Sequence, residues 1–254
     1  MAGGAANHFF FARKGLTPVP VGKAMNVTET TAATACWGCG APAGGEHFCA
    51  ACGKIQPLPR GTDYFRFFGL PRKLWIEMGD LEARFHALSW KLHPDNFVRS
   101  SAAEREMSLE HSSQLNDAFR VLRDPVARVE YLLELEGVRK EGQTKQQAPP
   151  ELLEEVFELN ESLDELRAAR AAHQAEQETA GLRRRLEEAA RGFEARLEDV
   201  DRQLMAAARE WDVALDAGNS AAGSAVLARI NEILNRRSYL RNLVRGVTQE
   251  LGEA

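Results

Sequence analysis

All four cysteines of the chain fall within seventeen residues, as Cys36-x-x-Cys39, a gap of nine, then Cys49-x-x-Cys52. No other feature restricts the fold as tightly. Two such pairs can bring four thiolates to one tetrahedral zinc ion at about 2.3 Å each. Gly40 and Gly53 follow the second cysteine of each pair, where a tight turn around a metal favours a residue without a Cβ. The spacing therefore predicts a small zinc-ribbon-like module over residues 36–59, held by structural Zn2+ on Cys36, Cys39, Cys49 and Cys52. A redox dithiol and an iron–sulfur cluster are the alternatives. An all-cysteine shell leaves no open position for catalysis. Trp37 and Phe48 are expected to cover the site. With no export signal, clustered cysteines indicate a reducing compartment and a metal rather than disulfides.

A second constraint comes from Pro94. The segment from Asp80 to Leu92 carries Leu81, Phe85, Leu88 and Leu92 at helical spacing. Proline then blocks continuation of the helix and holds its predecessor extended. Another helix is expected from about Ala102 to Leu122, ended by Asp124-Pro125. His93 and Asp95 would thus project from the bend of a helical hairpin, an imidazole and a carboxylate offered to a partner. A bare His-Pro-Asp triplet is usually an ordinary surface turn. As a catalytic His–Asp pair it lacks a nucleophile in any recognisable motif, and no phosphate-binding glycine loop is present, so the chain is not expected to be an enzyme.

Beyond a polar connector, 137–149, the chain reads as three amphipathic helices over 150–252. Leu152, Val156, Leu159, Leu163 and Leu166 form the first stripe. The second runs through Leu182, Leu186, Phe193, Leu197, Val200, Leu204, Trp211 and Leu215, a length of about 50 Å, with Gly218-Asn219 as its stop. The third holds Val226, Ile230, Ile233, Leu240, Val244, Val247 and Leu251. Such helices with short joints pack as an antiparallel bundle. The Ala-rich stretch 168–180 leaves room for an extra turn or loop. Residues 1–35 read as a disordered leader, with a mitochondrial transit peptide as the alternative because acids are absent before Glu29. The fold class is all-α. No apolar run of about twenty residues could span a bilayer, and a net charge of −5 argues against nucleic-acid binding.

Leu153 and Phe157 lie off the first stripe, four residues apart, amid Glu154, Glu158 and Glu161. An apolar spot with an acidic rim suits a partner with basic edges. The plainer alternative is that the two residues widen the bundle core.

Three blocks then carry a resemblance: Asp63-Tyr64-Phe65-Arg66-Phe67-Phe68-Gly69-Leu70, the His93-Pro94-Asp95 turn, and Asn116 through Pro125. Their order and separation resemble a J domain, here 62–136. His-Pro-Asp-x-Phe at 93–97, Arg128-Val129-Glu130-Tyr131-Leu132-Leu133 and the segment 151–166 narrow this to the iron–sulfur cluster co-chaperone (HscB-type) family, over roughly 36–251. The tetracysteine segment resembles that of a subset of the family. The resemblance implies a co-chaperone that engages a DnaK-type chaperone ATPase through His93, Pro94 and Asp95, with Arg84 and Lys91 on the preceding helix. It also implies that the bundle holds the cluster scaffold protein at Leu153, Phe157, Glu158 and Glu161, with Tyr239 as a weaker match. Asn96 departs from the lysine many J domains carry after the aspartate, and the preceding helix is less basic than usual, which favours a specialised chaperone or a weaker contact.

Two rival functions remain at this point: a general J-domain co-chaperone delivering unfolded clients, and a zinc-ribbon regulator binding nucleic acid. Few basic residues near the cysteines count against the second. Bacterial cytoplasm is the expected compartment, with the mitochondrial matrix as the alternative.

Overall fold

The structure, a computed structural model, describes residues 34–43, 47–139, 150–173 and 176–252. The expected leader (up to residue 33) and most of the polar connector (140–149) lie outside the described residues. The fold is all-α apart from a two-stranded ribbon, β1 (Thr34–Ala35) and β2 (Pro42–Ala43), antiparallel with Thr34 opposite Ala43. Thr34 and Ala35, the last two residues of the leader as read from sequence, pair with Ala43 and Pro42.

The helices are α1 (Tyr64–Phe67), α2 (Met78–Leu92), α3 (Ala102–Arg123), α4 (Pro125–Leu135), α5 (Leu153–Ala171), α6 (Glu176–Asp216) and α7 (Ser220–Gly252). Short 3-10 turns occupy Pro94–Phe97 and Pro150–Leu152. The described residues form two compact units, one from 34–63 with 89–114 and one from 64–88 with 115–252.

Local chemistry sets the helix boundaries. Ser101 and Glu104 form a reciprocal cap on α3: Ser101 N–H donates to Glu104 Oε2 (3.0 Å) while Glu104 N–H donates to Ser101 Oγ (3.3 Å). That hydroxyl and amide hold the Glu104 carboxyl below its usual range. Asp124 caps α4 by accepting from Ala127 N–H (2.7 Å), with Pro125 at the first helical position. Between α6 and α7 the two residues divide the work. Gly218 takes φ +62° to end α6, and Asn219 Oδ1 accepts from Ala222 N–H to begin α7.

The second unit holds the longer core. Phe65, Leu81, Leu122, Leu132 and Leu133 are all but sealed from solvent, each worth about 1.5–3 kcal/mol of burial. Phe85 stacks on Phe119 at 4.2 Å between ring centres, and Tyr64 on Tyr131 at 4.5 Å. In the bundle, Glu155–Arg196 (2.7 Å) and Glu165–Arg185 (3.7 Å) fix α5 antiparallel to α6. Asp201–Arg237 (2.5 Å) and Glu210–Arg229 do the same for α6 and α7.

The α6 helix, 41 residues and about 60 Å at 1.5 Å per residue, outruns the expectation because its first turns bury Thr179 ahead of Leu182. Leu215, expected in the core, is exposed, while Ala214 is buried. Trp211 already fills that end of the stripe, so close to α7 that a Cβ on Gly223 would sit 3.1 Å from its ring. On α7, Leu227 and Leu234 are buried, whereas Val226, Val244 and Leu251 are only half-buried.

Residues 72–75 are strapped to the far end of α6. Asp212 is buried and accepts from Leu74 N–H through Oδ1 and from Trp75 N–H through Oδ2, both at 2.7 Å. Trp211 Nε1 donates to Arg72 O (3.1 Å), and Lys73 pairs with Asp216 (2.8 Å). Burial raises the Asp212 carboxyl, against the pull of the two N–H groups and Lys73. Arg128 on α4 is also buried, and desolvation lowers its guanidinium despite the charges of Asp212 and Asp124.

Candidate functional site

Among the described residues three places bear chemistry, the first being the tetracysteine group. Gly40 and Gly53 adopt φ +75° and +72°, and their N–H groups return to Cys36 O (2.9 Å) and Cys49 O (2.8 Å). Each Cys-x-x-Cys-Gly thus closes on itself at a glycine in the left-handed region, as the spacing predicts. Cys36 Sγ and Cys52 Sγ lie 3.6 Å apart, Cys39 Sγ and Cys49 Sγ 3.8 Å, and all four sulfurs fall within 4.8 Å of one another. Four sulfurs at about 2.3 Å from one zinc would be about 3.8 Å apart. The group could hold a metal with little movement.

Its protonation agrees. Burial disfavours the Cys36 thiolate, but the Gly38 and Cys39 N–H groups and the Cys49 and Cys52 thiols outweigh it and lower that thiol to about 6. The Lys54 N–H favours the Cys52 thiolate, yet burial and the other three cysteines push it up to about 12. The thiolate is thus favoured at Cys36 and disfavoured at Cys52, and a bound dication would favour the thiolate form of its sulfur ligands. Trp37 does not cover the site as expected. It is 44% exposed, its indole N–H donating to Ile55 O (2.7 Å) and its ring lying under the Lys54 ammonium (4.7 Å). Ile55, bridged to half-buried Phe48, is sealed, and Cys36, Ala43 and Cys49 are buried with it in the module.

The second place is the turn after α2. His93 and Asp95 are exposed, with Pro94 between them half-buried. Asp95 N–H donates to His93 Nδ1 (3.3 Å), and Asn96 N–H to His93 O (3.0 Å). Asn96 Nδ2 reaches back to Trp90 O (2.6 Å), while Ser108 Oγ (2.7 Å) and Ser112 Oγ (3.0 Å) on α3 both donate to Leu92 O. Two of the last carbonyls of α2, which have no partner within the helix, are thereby occupied, and the bend is tied to α3. Lys91 is exposed; Arg84 spends a guanidinium N–H on Phe68 O (3.0 Å). Sequence reasoning noted Asn96 only as a departure and missed Ser108 and Ser112. Their signal was two hydroxyls four apart on the helix after a proline-broken one.

The third place is the outer face of α5. Leu153 is 55% and Phe157 70% exposed, so they do not widen the bundle core. Glu158 and Glu161 are exposed beside them. A groove of about 380 Å³ between α5 and α6 carries Glu155, Glu158, Glu161 and Glu165 on one wall, facing Arg185 and Arg196. Tyr239 lies half-buried on α7, its hydroxyl raised by burial. The α5 and α7 helices run in the same direction, joined where Arg167 and Arg170 meet Glu250. At equal rise per residue, Tyr239, eleven before Glu250, is at about the level of Phe157, ten before Arg167.

Among the described residues, no helix is long and apolar enough to cross a membrane. A scan against protein-family models returns no match. Curated relatives do match. The chain is 39% identical over 138 residues to the "Co-chaperone protein HscB homolog" of Azoarcus sp. (strain BH72), covering 54% of this chain and 78% of that one. It is 28% identical over 212 residues to the "Iron-sulfur cluster co-chaperone protein HscB" of Mus musculus, covering 82% and 79%. Among solved structures, the crystal structure of human co-chaperone protein HscB superimposes with a TM-score of 0.57 at 24% identity, over 86% of this chain and 99% of that one, a likeness of fold. Taken with the helices, the turn and the four cysteines described above, these matches show that the chain belongs to the HscB co-chaperone family.

Proposed function

We propose that this chain is a co-chaperone of iron–sulfur cluster biogenesis that stimulates the ATPase of a DnaK-type chaperone through His93-Pro94-Asp95 and holds the cluster scaffold protein on α5. The observation that carries the reading is the solvent-facing turn: His93 and Asp95 are exposed while the backbone around them is tied by Asn96, Ser108 and Ser112. An interaction site of this kind loses little conformational freedom on docking. Lys91, on the same helix, supplies positive charge to the chaperone contact; Arg84, bonded to Phe68 O, contributes more through its charge than through a free guanidinium.

The scaffold contact rests on Leu153 and Phe157, open to solvent with Glu158 and Glu161 beside them, and Tyr239 at a similar level on α7. Apolar side chains left exposed on an otherwise amphipathic helix favour a partner-binding face over a general client surface. Zn2+ on Cys36, Cys39, Cys49 and Cys52 is the metal whose radius and coordination suit the sulfur cage. When bound it supplies a fixed dication that holds both cysteine turns together. Cluster passage to acceptor proteins would follow ATP hydrolysis, the covalent step, in the chaperone.

The test is a single-turnover ATPase assay on the chaperone. Wild-type protein accelerates hydrolysis; His93→Gln abolishes the acceleration while scaffold affinity stays within twofold. Undiminished acceleration by His93→Gln would remove the assigned role of the turn.

A further inference from the structure

The module bearing the four cysteines and the turn bearing His93 are held by one face of one helix. On α3, Glu104, Ser108, His111 and Ser112 recur at steps of four, three and one, within about 100° of arc on a helix of 3.6 residues per turn. Ser108 and Ser112 hold Leu92 O, the carbonyl preceding His93. The two residues that alternate with them face the cysteine module. His111, 1% exposed, packs edge-on to His47 with ring centres 5.4 Å apart. Glu104 lies within the field of Lys54, a minor influence beside its Ser101 cap.

His47 sits on the stem of the second cysteine turn. Its carbonyl accepts from Gln56 N–H (2.9 Å), Phe48 bridges Ile55, and Cys49 N–H donates to Lys54 O (2.9 Å). Whatever fixes Cys49 and Cys52 therefore fixes the stem that presents His47 to His111. Ser108 and His111 are both sealed from solvent, so their shared helical turn has little freedom to respond at one end only.

We propose that Ser108, His111 and Ser112 are positioning residues that transmit metal occupancy of the four cysteines to the geometry of the His93-Pro94-Asp95 turn. The inference builds on the proposed function of that turn. Loss of the metal slackens the stem, His47 withdraws from His111, α3 shifts against Leu92 O, and the loop loses its fixed presentation. The cysteine module is in this sense a device that sets the co-chaperone's potency by metal supply, a role the α5 face does not share.

The experiment uses full-length protein, purified with zinc and then stripped by a chelator under reducing conditions. Amide exchange followed by NMR reads the last turn of α2 (residues 89–92) against α6 and α7. Stripping should speed exchange at 89–92 at least fivefold and leave α6 and α7 within twofold. In His111→Ala the same stripping should change 89–92 by less than twofold, because the link is already cut. Ser108→Ala, fully metallated, should lower the maximal stimulation of the chaperone ATPase while the concentration for half-effect stays within twofold. A merely destabilised protein would do the reverse, since a smaller active fraction shifts the half-effect point and spares the plateau. Exchange at 89–92 indifferent to zinc in wild type, or an undiminished zinc effect in His111→Ala, overturns the proposal. Because exchange is read on the protein alone, its outcome is independent of whether His93→Gln loses stimulation.

Discussion

Replacing Leu153 and Phe157 together with alanine should weaken scaffold binding by about a hundred-fold and leave the fold intact. The magnitude follows from exposure. Full burial of a leucine or phenylalanine side chain is worth about 1.5–3 kcal/mol. Leu153 and Phe157 retain 55% and 70% of their surface in water, so a partner covering them recovers roughly half to two-thirds of that range for each. The sum is about 3 kcal/mol, and every 1.4 kcal/mol is tenfold in Kd. Neither residue is buried in the free chain, so unfolding free energy should move by less than about 0.5 kcal/mol. Titration calorimetry against the purified scaffold protein measures the first quantity and urea denaturation followed by circular dichroism the second. As a companion, Glu158→Gln with Glu161→Gln should flatten the salt dependence of association, because rim charges act mainly on the encounter rate. A Kd within threefold of wild type for the double alanine variant would refute the argument. So would a loss of stability equal to the loss of affinity, since that would mean the two side chains serve the bundle.

Other outcomes follow from the structure. Asp212→Ala strands the N–H groups of Leu74 and Trp75 and should cost about 3 kcal/mol, given about 1.5–3 for each bond to a charged acceptor less the desolvation relieved; chemical denaturation monitored at α1 and α2 reads it. Cys49→Ser should abolish zinc binding measured by elemental analysis, with the helical circular dichroism of α5, α6 and α7 preserved. Glu250 is held below the usual carboxylate range by its bonds to Arg167 and then by the charges of Arg167 and Arg170, burial opposing. Its contribution is therefore present above about pH 4.5, the ordinary glutamate range, and lost as pH falls through the lowered value. The melting-point gap between wild type and Glu250→Gln should accordingly close on acidification.

The hairpin was legible in the sequence because proline acts locally. Pro94 and Pro125 interrupt helices whatever surrounds them, and α2, α3 and α4 end or begin at the residues they dictate. The cysteine turns were legible for a similar reason, their glycines answering a backbone demand. Leu153 and Phe157 were readable as off-stripe residues, yet only packing decides whether such residues are core or surface, and both readings stood until exposure was known. What escaped was long-range. Asp212 holds residues 138 and 137 positions away, and nothing in the pattern of α6 marks it. The buried face of α7 drifted from Val226 and Val244 to Leu227 and Leu234 because a helix packed on one neighbour and bridged to another buries a broader stripe than one row. His111 was not singled out either, since nothing in the pattern of α3 marks it before His47 is seen against it.

In the proposed function the His93 turn and the α5 face act together because one polypeptide carries both. This is tested by the chaperone's ATPase rate with limiting scaffold protein present, comparing wild type with an equimolar mixture of His93→Gln and Leu153→Ala/Phe157→Ala proteins. Scaffold and wild type together should accelerate hydrolysis well beyond the sum of their separate effects, and the mixture, with each function intact on a different chain, should yield no more than that sum. Full acceleration by the mixture would contradict this coupling.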